Sequence, residues 1–429
     1  MRDLMVLAAM LLIFPLATSN TFIAYLLWSW AGLIGLDGYL YGFMIGLPYV
    51  QIFALITLGT LLLRRDKKPV QFQINRTTGL LILFGCHGLL VATFAFDGIF
   101  GVWDLYIIIL KVLLFCFVMP ILVTSRLHIH AMVISIIFAL SFHGLLDGLK
   151  FIASGGSHVA HGVRFGDSNL FALVLTTVIP LLIYMYKYSD NKWLKPGYLG
   201  LALLTVMAVV ATNSRGGLIT MVFIAMVLIM QSKRKVAGML TLTAFVVIVM
   251  SIVSDSWLDR MNSVQNAESD NSFMTRVAVW KKSTAIALEH PLLGGGFGAV
   301  NAPPADKYRY SQGLLGFIDT PDPGRFVAHS IYFQVIGDMG FLGFFIYLTI
   351  LFNAFYTAHE IKRLAAKQGE RAMWATDIAN TLKTSLQAFM VGGALLSAAY
   401  YDMPFILIML LEATKQVLIR NEKFKQIAG

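Results

Sequence analysis

Apolar residues run in long blocks along almost the whole chain, and short polar segments separate them. The blocks fall at 3–19, 46–63, 77–96, 102–124, 131–152, 168–187, 197–213, 216–231, 236–254, 329–357, 376–400 and 403–419, with a further apolar stretch at 21–36. Most approach or exceed roughly 18 residues, the helix length that crosses about 30 Å of hydrocarbon. One such run could be a signal peptide or a buried helix; a whole succession of them predicts an all-α, polytopic membrane bundle of about twelve spans. The first run, Leu4 to Ala17, lacks a small-residue cleavage site and reads as a retained segment.

Composition agrees with this pattern. Of 429 residues, 58% are hydrophobic and 13% charged, against about 25% charged in soluble domains. The net charge of +10 would raise nucleic-acid binding in a soluble protein. Here the basic residues sit in short loops beside apolar spans, where they set topology, so nucleic acid is not an expected partner. The basic segments are 64–68, 126–130, 187–195, 233–235, 362–383 and the tail with Lys415, Arg420, Lys423 and Lys425. The positive-inside rule places them all in the cytoplasm of an inner-membrane protein. Counting spans between them puts both termini inside and allows one full crossing before residue 46. On that count 3–19 and 21–36 are not both complete spans. Cys86 and Cys116 lie within apolar runs and read as packing residues.

The loops facing the periplasm are then 97–101, 153–167, 212–216, 255–328 and 400–404. Three parts follow: transmembrane helices over 1–254, a periplasmic loop over 255–328, and transmembrane helices with a cytoplasmic tail over 329–429. A loop as long as 255–328 exceeds an ordinary connection several-fold, and long loops carry function. Within it, Phe273, Val277, Trp280, Thr284 and Leu288 recur at helical spacing, which predicts an amphipathic helix over 272–290 stopped by Pro291.

Charge parity also selects the candidate chemistry. Arg164, Arg215, Arg276 and His329 fall on the periplasmic side. Arg215, between two nearly continuous spans, reads either as a snorkelling anchor or as a functional cation; the positive-inside bias weighs against the anchor. Gly216 and Gly217 beside it permit close approach of a ligand to backbone. Arg164 carries the same two readings; Arg276, on the loop helix, reads either as a functional cation or as part of a solvated helix face. His329 reads as a general base or as a residue bonded to loop backbone at a helix start. Several guanidiniums at one membrane surface fit a lipid diphosphate, whose oxygens they bind bidentately. His143, Asp147 and Lys150 share a helical face and form either a satisfied polar patch or a wall of the same cavity; Lys111, mid-span, faces the bundle interior. The remaining histidines have no ligand spacing, and no Asp-x-Asp pair, Walker A or Rossmann glycine pattern occurs, so no metal and no cofactor is expected. A periplasmic enzyme lacking ATP needs a pre-activated donor.

At these residues the chain resembles the O-antigen ligase and O-antigen polymerase superfamily, most closely the O-glycosylation ligases found beside exosortase systems. The resemblance rests on Met1–Leu4, Gly42 to Pro48 and 51–64, on Asn213–Gly217 and on Arg276 with Trp280. It continues through Pro291–Phe297, Ala328–Gln334, and Gly392–Ala394 through Tyr401–Pro404. Where relatives carry Glu-His-Gly, this chain has Asp338-Met339-Gly340, and the region around Leu36–Asp37 lacks an Asn-Pro-His. Neither departure is expected to touch the chemistry.

The resemblance implies an inverting, metal-independent glycosyltransferase. It would move a glycan from undecaprenyl diphosphate to an acceptor, lipid A-core in O-antigen ligases, on the periplasmic face. His329 would serve as base and Arg215, Arg276 and Arg164 would hold the diphosphate. The alternatives are an O-antigen or exopolysaccharide polymerase, a protein O-oligosaccharyltransferase and, from another class, a lipid-linked glycan transporter. A transporter would be expected to show inverted repeats, and none is evident in the sequence.

Overall fold

The structure is a computed structural model that describes residues 2–63, 74–162, 165–251, 253 and 271–428. Among these residues the regular structure is helical throughout. The α-helices are α1 Arg2–Ser19, α2 Thr21–Ile34, α3 Tyr49–Leu62, α4 Arg76–Thr93, α5 Val102–Leu122, α6 Arg126–Ala153 and α7 Ser168–Tyr188. They continue as α8 Leu194–Ala211, α9 Arg215–Gln231, α10 Lys235–Met250, α11 Asn271–Glu289, α12 Ile331–Gln368, α13 Met373–Gly393 and α14 Asp402–Ala428. Seven of them, α1, α4 to α8 and α12, are long and apolar enough to cross a membrane, and α2, α3, α9 and α10 are shorter apolar helices. The chain is a polytopic helical membrane protein.

Helix starts follow polar residues flanking the apolar blocks. Asn20, Asn75, Ser125, Asp167 and Ser214 each accept a backbone N–H of the first turn through a side-chain oxygen, satisfying donors that the helix ladder leaves open. In the interior, α7 is buried without interruption from Phe171 to Leu182. Gly144 and Gly148 let α6 lie directly on α8: a Cβ at Gly148 would stand 2.2 Å from the Leu204 carbonyl oxygen. Such small-residue contacts replace the hydrophobic drive that lipid does not supply between helices.

The first helices are held by a carboxylate. The Asp3 carboxylate accepts the backbone N–H groups of Tyr41 and Met44 at 3.2 Å. The start of α1 therefore lies beside the segment that leads into α3, and α1 and α2 form a hairpin. Of the two apolar stretches before residue 46, α1 is long enough to cross a membrane, and α2 is a shorter apolar helix. The contact of Asp3 with the 41–44 backbone, which closes this hairpin, has no signal in the sequence.

In the long loop, residues 254–270 lie outside the described residues, and α11 packs against α12. Burial on α11 covers Val277–Val279 and Lys281–Ala287, while Phe273 (42% exposed) and Leu288 (52%) lie outside it. The expected stripe is thus too narrow at its centre and too long at its ends. Loop residues close over the polar side: Lys281 Nζ donates to the Ile318 carbonyl at 2.8 Å, and Gly313 sits against Lys281 and Thr284.

Candidate functional site

The Asn213–Gly217 turn joins α8 to α9. Asn213 holds φ of +53°, a left-handed conformation that asparagine tolerates better than most residues. Ser214 then caps α9, its Oγ accepting the Gly217 N–H at 3.0 Å. The same hydroxyl donates to Asn169 Oδ1 at 2.8 Å, and Asn169 donates to Asp167 Oδ1 through its backbone and side-chain nitrogens. Ala160 N–H donates to the Ala211 carbonyl at 2.9 Å. The 153–167 loop is thereby tied to the turn that presents Arg215. The two glycines differ in role. A Cβ at Gly217 would meet Ala172 Cβ at 2.5 Å, so this glycine seats α9 on α7; at Gly216 the nearest atom lies 3.9 Å away, leaving its backbone open to approach.

His329 is the other non-glycine residue with positive φ among the described residues, at +46°. Such a conformation costs of order 1–3 kcal/mol and persists only where neighbours fix it. They do so on both sides. Ser397 Oγ accepts the His329 backbone N–H at 2.7 Å. The preceding carbonyl, of Ala328, accepts the Trp280 indole N–H at 2.7 Å, and the Trp280 ring stacks on Phe333 at 4.8 Å. Trp280 lies one helical turn after Arg276, so the contact that anchors Ala328 also carries Arg276 towards His329. The imidazole is half-buried. Burial holds its pKa below 6.5, the Arg276 cation lowers it further, and the Asp167 carboxylate opposes both. Arg276 and Asp167 therefore act on one imidazole from two different loops.

Beneath His329, α12 breaks. Gly340 has φ +69° and ψ −175°, and the carbonyls freed before it are taken up by the glycine-rich loop. Gly295 N–H donates to Gly337 O at 2.9 Å and Gly296 N–H to Asp338 O at 3.0 Å, while Leu342 N–H donates to Pro291 O at 3.1 Å. Irregular backbone inside a bundle requires such replacement partners. The buried Asp338 carboxylate accepts Gly298 N–H and the Tyr400 hydroxyl, each at 3.1 Å. It joins the glycine loop, the histidine segment and the C-terminal motif. The departure at Asp338 thus does touch the site, through the elements that position His329, contrary to expectation.

Arg215, Arg276 and His329 are brought to one end of the bundle, linked through Asp167, Asn169 and Ser214. Arg164 lies outside the described residues; its neighbours are anchored, with Phe165 stacked on Phe171 at 5.5 Å. The His143 patch is satisfied. His143 bonds the Ile34 carbonyl and the Tyr39 hydroxyl, and Asp147 pairs with His158 and Lys150. Asp167 and Ser397 escaped the sequence reading. Asp167 had a signal, an acid in the loop that carries Arg164; Ser397, a small residue in an apolar run, had none.

The geometry is that of a polytopic membrane protein with a cationic, histidine-bearing site built where loops meet helix ends. Residues 200–348 match the family described as O-Antigen ligase. The superfamily resemblance read from the motifs thus holds over the stretch that carries Arg215, Arg276 and His329. Residues 1–190 match a family of unknown function (DUF5935). No curated protein matches the chain.

Proposed function

We propose that the chain is a membrane glycosyltransferase of the O-antigen ligase type. It transfers a glycan from undecaprenyl diphosphate to lipid A-core on the periplasmic face of the inner membrane, with inversion and without a metal. The acceptor hydroxyl attacks the anomeric carbon, the bond to the diphosphate breaks, and undecaprenyl diphosphate leaves with the electron pair. The acceptor proton passes to His329. Burial and Arg276 favour the neutral, proton-accepting imidazole, and Asp167 is placed to stabilise the imidazolium that forms. Arg215 and Arg276, with Arg164, balance the charge growing on the leaving group, each donor contributing about 3 kcal/mol.

The observation that carries this reading is the pairing of a strained, half-buried histidine with Arg276 and Asp167. The test is glycan transfer in membranes containing the donor and lipid A-core, at equal protein level. His329→Ala is expected to lower transfer by about 10²–10⁴-fold and Arg215→Ala by about 10²–10³-fold. Near-normal transfer by both variants refutes the proposal. Transfer to a second lipid-linked glycan instead of lipid A-core would make the chain a polymerase.

A further inference from the structure

The loop before α12 carries an apolar run, Gly313-Leu314-Leu315-Gly316-Phe317-Ile318. Such a run gains nothing by facing water, yet Phe317 is 83% exposed, Leu314 55% and Tyr310, just before them, 76%. Its backbone is turned the other way. The Leu314 N–H donates to Thr284 Oγ1 at 3.1 Å, and the Ile318 carbonyl accepts Lys281 Nζ at 2.8 Å, both from α11. The Ile318 N–H donates to the Leu315 carbonyl at 3.1 Å. Gly313, with φ of +54°, permits the close approach: a Cβ there would stand 2.2 Å from Thr284 Oγ1. Backbone groups bonded inward and apolar side chains left outward suit the boundary between headgroups and acyl chains, where unpaired backbone groups are costly.

The fold holds this run at the level of the bilayer surface. α4 has 18 residues, about 27 Å of helix, so it uses its whole length to cross about 30 Å of hydrocarbon. The turn after it, 94–101, therefore marks the surface. Phe100 in that turn and Trp103 just after it are exposed, the position that aromatic residues favour at a membrane boundary. The loop packs on this turn: Phe96 donates its backbone N–H to the Gly295 carbonyl at 2.9 Å, and its ring stacks on Tyr308 at 6.2 Å. α11 lies at the same level, since a Cβ at Gly337, in the second turn of α12, would stand 3.3 Å from Ser283 Cβ. Arg309 and Arg325, on either side of the run, are paired with Asp322 and Asp306. The exposed Asp319, next in the chain, limits the depth to the headgroup boundary.

We propose that residues 310–318 form an interfacial foot seated in the membrane leaflet on the His329 side. Leu314 and Phe317 reach the upper acyl carbons, and Tyr310 lies among the headgroups. Continuity with the exposed aromatics of the 94–103 segment selects the bilayer as the occupant rather than a soluble partner. None of these residues has a role in the proposed transfer, so the seating of the foot is independent of that reaction.

The test uses the full chain in nanodiscs of phosphatidylethanolamine and phosphatidylglycerol, with Cys86→Ser removing the exposed native thiol. Phe317→Cys carries an environment-sensitive fluorophore. Phe352→Cys, at an exposed apolar position within α12, is the lipid reference, and Lys233→Cys, in the exposed connection between α9 and α10, is the water reference. The label at 317 is expected to be quenched by nitroxide lipids about threefold more than the water reference, and by aqueous iodide about threefold less. Leu314→Asp is expected to bring both values back to those of the water reference. Iodide quenching at 317 equal to the water reference would leave the foot open to a soluble partner and overturns the proposal. Protection from both quenchers, which would mean that the run folds against its own chain, also overturns it, as does unchanged lipid quenching in Leu314→Asp.

Discussion

From Phe171 to Leu182 every residue of α7 is buried, and the Thr176 and Thr177 hydroxyls among them bond to carbonyls of the same helix. The opening of α12 is built differently. It carries a buried carboxylate, a glycine with φ of +69° and carbonyls bonded to another segment of chain, and His329 just before it is strained as well. The contrast separates two ways of holding a membrane helix. In the buried stretch of α7 the neighbours are held by apolar packing, and the polar groups bond within the helix. At α12 backbone groups are handed from one motif to the next, so a change in any motif reaches His329.

Substitutions can break this contrast. The largest effect is expected at Gly340: alanine there must hold positive φ, with its Cβ 2.6 Å from Pro291 O. Gly340→Ala should abolish folded protein, read as monodisperse material after detergent extraction. Recovery at unaltered levels would mean that the kink is incidental. In α7, Leu175→Ala should cost about 2–5 kcal/mol of stability and lower transfer only in proportion to the folded fraction. A specific loss of rate per folded molecule would show that α7 also shapes the site. Asp338→Ala removes the acceptor for Gly298 and Tyr400, at about 1–3 kcal/mol. It should depress transfer per folded molecule, with Asp338→Glu restoring part of it; unchanged transfer would remove Asp338 from the positioning of His329. Smallest is Ser214→Ala, a lost cap worth about 1 kcal/mol. Its transfer defect should exceed its stability defect, since the same hydroxyl leads through Asn169 to Asp167.

Sequence reading reached one side of this contrast easily. Membrane helices declare themselves through length and apolarity, and the blocks ending near 63, 124, 187 and 231 each end within a few residues of an observed helix terminus. The arginines and His329 were visible because they fall in loops other than the basic segments that the positive-inside rule assigns to the cytoplasm. The links between them were not visible. Ser397, Trp280 and Asp338 act through hydrogen bonds spanning tens of residues in sequence, and no spacing rule encodes such contacts. The α1–α2 hairpin was missed for the same reason, since Asp3 is bound to backbone at 41–44. The glycine run 294–296 signalled a turn, but its role in completing the broken ladder of α12 requires the fold.

The central claim is that Arg276 and Asp167 act on His329 as the proton-accepting group. It is tested most directly by the pH dependence of glycan transfer. The neutral imidazole is the working form, so transfer falls as pH drops through the His329 pKa. The Arg276 cation lowers that pKa and Asp167 raises it. Arg276→Gln should therefore move the acid limb to higher pH, and Asp167→Asn should move it to lower pH, whatever happens to the maximal rate. Acid limbs that stay in place in both variants, or that move in the opposite directions, would contradict the account.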